Sequence, residues 1–174
     1  MGKIICILGG ARSGKSHFAG KLAENDRKGP VAFIATAEAK DLEMKNRIAL
    51  HQKNRPRNWN TFEEPLLTSK TLAKISQKFF KFIILDCLTL LISNFLLQHK
   101  SPASIEKELH GILLCLKKFK GTSILVSNEV GLGIVPANKL SRDFRDIAGR
   151  INQMTAEKAD EVFFMISGIP WRIK

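Results

Sequence analysis

The sequence predicts an α/β protein built in three layers, with a mostly parallel central sheet flanked by helices. Two observations carry that prediction. Short, almost continuously apolar runs alternate with longer stretches whose apolar residues recur at spacings of three and four, the pattern of buried strands joined by helical crossovers. A glycine-rich segment also stands between the first such run and the first helical stretch, Gly9-Gly10-Ala11-Arg12-Ser13-Gly14-Lys15-Ser16. The chain has 174 residues, of which 44% are apolar. That suits one domain spanning residues 1–174, because domains commonly run roughly 100–200 residues.

Strands are expected over Lys3–Leu8, Val31–Ala35, Phe82–Asp86, Thr122–Val126 and Glu161–Ile166. Helices are expected over Lys15–Asn25, Glu38–Gln52, Leu66–Lys78, Leu88–Gln98, Ile105–Lys118 and Ser141–Lys158. Gly29-Pro30, Ser101-Pro102 and Gly121 punctuate them. Residues 54–60, Asn-Arg-Pro-Arg-Asn-Trp-Asn, are polar and basic and read as a loop. The tail from Ser167 to Lys174 reads as a turn and a last short strand at a sheet edge, where Pro170 is tolerated.

Gly9 to Ser16 matches G-x-x-x-x-G-K-[ST] in the strand-to-helix context that this motif needs. The fold is therefore expected to be a P-loop NTPase of the RecA-like kind, binding ATP or GTP. Glycines let successive backbone N–H groups turn inward, and the helix N-terminus adds positive potential where phosphate oxygens sit. Lys15 is expected to reach the β- and γ-phosphates, and the Ser16 hydroxyl to ligate Mg²⁺. Phe82-Ile83-Ile84-Leu85-Asp86 is an apolar strand ending in a carboxylate, which places Asp86 in the Mg²⁺ shell from the neighbouring strand tip.

Ser127 to Pro136 follows a strand directly, so its polar residues emerge at the sheet edge where open α/β folds bind ligands. Gly131 and Gly133 suggest close backbone approach or positive φ, and Glu129 is a candidate base by location. His51 ends a helix just before Lys53, Arg55 and Arg57, whose charges suit a second set of phosphates set against an imidazole nucleophile. His17, His99 and His110 read as ordinary helix residues. Arg142, Arg145, Asp146 and Arg150 fall on one helix, with Arg142–Asp146 and Asp146–Arg150 each four apart, and read either as a ladder of surface ion pairs or as phosphate or subunit contacts.

The formal charge of +12 attracts polyanions in general. A nucleic-acid-stimulated ATPase would carry its basic residues along a groove with exposed aromatics. Here they are scattered, Tyr is absent and Trp occurs only twice. Cys6, Cys87 and Cys115 have no C-x-x-C spacing and read as buried free thiols of a reducing compartment. The apolar start, Ile4 to Leu8, is too short for a signal peptide. Phe79 to Leu97 is interrupted by Lys81, Asp86, Ser93 and Asn94, so no membrane insertion is expected and the cytoplasm is the expected location.

Together these residues resemble the bifunctional adenosylcobinamide kinase/adenosylcobinamide-phosphate guanylyltransferase family of cobalamin biosynthesis. The resemblance runs from Ile4 to the C-terminus. Its specific marks are the Gly9–Ser16 loop, Ala35-Thr36-Ala37, Arg47-Ile48 with His51 and Arg55-Pro56, Trp59, and Asp86-Cys87-Leu88-Thr89. The Asn128–Pro136 block, Arg145–Gln153 and Val162–Gly168 complete it. The resemblance implies phosphorylation of the aminopropanol hydroxyl of adenosylcobinamide, then transfer of GMP from GTP to that phosphate through a GMP–histidine intermediate. By position, His51 matches the family histidine. Gly9 to Ser16, Ala35, Thr36, Ala37, Gln52, Lys53, Asn54, Arg55, Glu63 and Asp86 match the nucleotide site, and a homotrimer is implied. The chain departs from many relatives in having Leu50 where they carry a first histidine, and Ala37 where some carry Ser.

Overall fold

The computed structural model describes residues 2–25, 29–39, 41–53 and 55–174. In chain order the described elements begin with β1 (Lys3–Gly9), α1 (Lys15–Asn25), β2 (Val31–Ala35), α2 (Leu42–Lys53), β3 (Asn60–Glu63) and α3 (Thr68–Ile75). They continue with β4 (Phe82–Asp86), α4 (Leu88–Leu97), α5 (Pro102–Lys118), β5 (Thr122–Val126), α6 (Lys139–Lys158), β6 (Glu161–Ile166) and β7 (Ile169–Arg172). The strands form one seven-stranded sheet in the order β3-β2-β4-β5-β1-β6-β7. All pairings are parallel except β6 with β7. Pro170 sits on the outermost strand opposite Met165, where its missing N–H leaves no ladder bond unmade.

Alternation along each strand sorts the core into two clusters, one per face. Ile4, Cys6 and Leu8 of β1 join Ile34, Ile83 and Leu85 beneath α3, α4, α5 and α6. Ile5 and Ile7 join Phe33, Ile84 and Val126 beneath α1, whose Ala19 and Ala23 let it lie close. Burial on both faces explains why these strands read as unbroken apolar runs. It also drives the Cys6 thiol up to about 12. Cys87 is buried as well, but Cys115 is only half-buried, so the expectation of three buried thiols holds for two of them.

Caps set several helix boundaries. Ser101 accepts from the Ser104 N–H ahead of Pro102 at the start of α5, and Asn138 accepts from the Ser141 N–H to start α6. Asp41 accepts from the Met44 N–H at 2.7 Å, so α2 starts at Leu42 rather than at the expected Glu38. β3, absent from the expected elements, continues the sheet from β2 with Ala35 opposite Glu63. The expected ladder on α6 is not formed. Arg142 instead donates to the carbonyls of Pro136 and Ala137, and Arg150 pairs with Glu106 of α5 at 3.3 Å. His99 lies past the end of α4, with φ 55.

Candidate active site

The parallel strands β1, β5, β4 and β2 end at one edge of the sheet, and a cleft of about 850 Å³ opens there. On its sheet side lies the loop from Gly9 to Ser16. Gly9 has φ 147, and a Cβ there would stand 2.7 Å from the Met165 carbonyl oxygen. Gly14 has φ 92. Both positions need glycine, and between them the backbone can turn its N–H groups into the cleft. Lys15 is buried to 7% exposure, with its Nζ donating to the Gly10 carbonyl oxygen at 2.6 Å.

Asp86 closes the floor. Its strand is not the immediate neighbour of β1, as the sequence reading had it: β5 lies between them, with Val126 registered against both Ile7 and Asp86. The Asp86 carboxylate still meets the loop, because the Ser16 hydroxyl hydrogen-bonds to it. Burial raises the Asp86 pKa. The Ser16 bond and the nearby His51, Arg55 and Lys15 pull it part of the way back.

The opposite wall is α2. Met44, Ile48, His51 and Gln52 all line the cleft, so the apolar stripe of this helix faces the site instead of the core. Gln52 Nε2 donates to Glu63 Oε1 at 2.7 Å, tying the end of α2 to β3. Beyond it the basic loop is anchored by stacking. The Arg55 guanidinium lies 3.9 Å over the Phe33 ring, and Phe33 stacks on Trp59 at 5.9 Å between centroids. Burial lowers the Arg55 pKa, against Asp86 and Glu63, which raise it. Its Nη1 is buried with no protein partner among the described residues. A smaller cavity of about 240 Å³ lies beside the cleft, sharing Ser16, His17, His51, Arg55 and Asp86 with it and extending to Lys21 and Trp59.

The structure thus brings Ala11, Arg12, Ser13, Gly14, Lys15, Ser16, Ala35, Ala37, His51, Gln52, Arg55, Glu63 and Asp86 to one cleft. Thr36 does not join them. Its side chain is fully buried, donating to the Cys87 carbonyl oxygen at 2.7 Å and accepting from the Cys87 N–H at 2.9 Å. Gly9 and Gly10 contribute backbone behind the lining, Lys53 is exposed off the cleft, and Asn54 lies outside the described residues. Glu129 turns away, accepting from the Gly131 N–H at 2.7 Å, while Asn128 lines the cleft in its place. Neither Gly131 nor Gly133 takes a positive φ. His17, read as an ordinary helix residue, lines the cleft as well.

A loop built for phosphates, a carboxylate bonded to its serine and a histidine on the facing helix are the parts of a phosphorus-transfer enzyme. The model of the cobinamide kinase / cobinamide phosphate guanyltransferase family matches residues 5–173. The chain belongs to this family. It is 45% identical over 168 residues to the bifunctional adenosylcobalamin biosynthesis protein CobP of Pseudomonas aeruginosa, covering 97% of this chain and 95% of that one. To the bifunctional adenosylcobalamin biosynthesis protein CobU of Escherichia coli it is 37% identical, over 98% of this chain and 99% of the other. Among solved structures, flagellar accessory protein FlaH from Methanocaldococcus jannaschii aligns with a TM-score of 0.52 at 15% identity, over 99% of this chain and 78% of that one. That likeness concerns the fold alone, a three-layer RecA-like P-loop architecture. No described helix is long and apolar enough to cross a membrane.

Proposed function

We propose that this chain phosphorylates the aminopropanol hydroxyl of adenosylcobinamide with ATP or GTP, then transfers GMP from GTP to the new phosphate to give adenosylcobinamide-GDP. The observation that carries this reading is that residues 11–16 of the P-loop and His51 line the same cleft. In the first reaction the substrate hydroxyl oxygen bonds to the γ-phosphorus as the bond to the β-phosphate breaks. In the second, a His51 ring nitrogen bonds to the α-phosphorus of GTP and pyrophosphate leaves. A phosphate oxygen of the corrinoid then displaces the imidazole. A neutral ring nitrogen suits the middle step because it approaches the triphosphate without charge repulsion.

In this reading the backbone from Gly9 to Ser16 cradles the phosphates, Lys15 neutralises them, and Arg55, Gln52, Glu63, Ala35 and Ala37 line the rest of the nucleotide site. Thr36 supports that wall from behind. Ser16 and Asp86 fit Mg²⁺: they are hard oxygen donors hydrogen-bonded to each other. Mg²⁺ held there would offset phosphate charge. Both reactions fall to one domain, residues 1–174, in the cytoplasm, where nucleoside triphosphates are made. A homotrimer belongs to the same reading. Leu132, Ile134, Val135 and Leu140 are exposed at neighbouring positions and supply apolar surface for it, and light scattering should give three times the 19.5 kDa chain mass.

Incubation with α-labelled GTP tests the central claim. Acid-labile, base-stable label is expected on the wild type and absent from His51→Ala. If the wild type takes no label while still phosphorylating cobinamide, the chain has only the first activity.

A further inference from the structure

β5 is the strand inserted between the P-loop strand and the Asp86 strand, so whatever follows it emerges between those two phosphate-site elements. The Ser127 N–H donates to the Ile7 carbonyl and the Glu129 N–H to the Gly9 carbonyl, at 3.0 and 2.9 Å, continuing the pairing with β1. Alternation then turns the Asn128 side chain to the face opposite Ser127 and Glu129, and it lines the cleft. Its orientation is fixed. Nδ2 donates to Thr89 Oγ1 at 2.8 Å, and that nearly fully buried hydroxyl also contacts Cys87 Sγ at 3.2 Å. From α6 the buried Asn152 donates to the Asn128 carbonyl oxygen at 3.1 Å. Among the described residues the second Asn128 amide hydrogen and Oδ1 meet no protein partner, so one donor and one acceptor are held rigidly at the cleft.

We propose that Asn128 contacts the reacting groups of the phosphoryl transfer. Its second amide hydrogen meets an oxygen of the transferred phosphoryl group, and Oδ1 accepts from the attacking hydroxyl. Charge in such a transition state spreads over the equatorial oxygens, and catalysis is mostly positioning and electrostatic stabilisation. A neutral amide suits this task. The hydroxyl oxygen bonds to phosphorus, the nucleoside diphosphate leaves, the hydroxyl proton passes to the phosphoryl oxygens, and Asn128 ends as it began. Thr89 and Asn152 act through it, as positioning residues. The inference rests on the kinase half of the proposed function and removes the need for Glu129 as a base.

The test is steady-state phosphorylation of cobinamide by wild type, Asn128→Ala, Asn128→Asp, Thr89→Ser and Thr89→Val, with melting curves for each. Loss of one fixed donor commonly lowers kcat about 10²-fold or more, and that loss is expected in Asn128→Ala and in the isosteric Asn128→Asp, with the nucleotide KM within about threefold. Thr89→Ser should keep most of the rate that Thr89→Val loses, at similar KM. A kcat for Asn128→Ala within threefold of wild type, or a loss confined to KM, overturns the proposal. If the Asn128 variants do not fold, equal rates for Thr89→Ser and Thr89→Val overturn it, and a gap between them in kcat sustains it. A wild type that binds nucleotide yet leaves cobinamide unphosphorylated removes the kinase reading, and this inference falls with it.

Discussion

Asp86 shows how one side chain can set activity against stability. Its carboxyl titrates above its ordinary 3.8 because it is buried, although Ser16 and the nearby cations oppose the shift. An acid with a raised folded pKa binds more protons folded than unfolded. It therefore costs stability as the pH climbs from 3.8 through the folded pKa. Asp86→Asn is expected to raise the melting temperature at pH 7, with the gain shrinking as the pH falls toward about 4. The same variant should lose about 10–100-fold in Mg²⁺-dependent turnover, as partners of a metal site commonly do. Scanning calorimetry at both pH values, with a magnesium titration of the rate, checks both halves. Thr36 is the contrasting case, structural in spite of its place in a family motif. Thr36→Val strips a partner from both the N–H and the carbonyl of Cys87. It should cost about 1–3 kcal/mol, a fall in Tm of about 2–12 °C at roughly 2–4 °C per kcal/mol, whereas Thr36→Ser should melt near wild type.

At the scale of elements, α2 matters because it presents His51 and yet none of its described side chains joins either core cluster. Its order then depends on local devices: the Asp41 cap at one end and the Gln52–Glu63 bond at the other. Asp41→Ala removes a cap worth about 1 kcal/mol. Amide exchange at Met44 and Lys45 should quicken about fivefold, with exchange in β4 unchanged, as hydrogen-exchange mass spectrometry would resolve. The same contrast explains what could be read beforehand. β2, β4 and β5 are apolar because both faces are covered, and a buried strand announces itself in composition. β3 carries Asn60, Thr61 and Glu63 on largely exposed positions and exists through its pairing with β2, so nothing local marks it. The Gly9–Ser16 loop was legible because its spacing and its chemistry coincide. Glu129 was not separable from Asn128 without the register of β5 against β1, since the residue that faces the cleft is decided by alternation from a pairing the sequence does not print.

For the whole molecule, a net charge of +12 means that the folded chain repels itself and gains from any bound polyanion. Much of that gain should pass through the one loop where Lys15, Arg12 and backbone N–H groups meet at the edge of the seven-stranded sheet, since β1 and α1 on either side of it belong to the core. A ligand at 100 times its Kd that binds only the folded state adds about 2.7 kcal/mol. For a chain of this length that corresponds to about 5–10 °C in Tm. Mg²⁺·GTP at that level should therefore lift the wild-type melting temperature by this amount, and sodium sulfate at matched ionic strength should give much less. Lys15→Ala should melt close to wild type without ligand and lose most of the GTP-induced rise, because the fold keeps its core while the cradle loses its cation. Differential scanning fluorimetry of the two proteins, with and without nucleotide, checks this. An equal rise in Lys15→Ala would mean that the stabilising charge is spread over the basic surface and is not gathered at Gly9–Ser16.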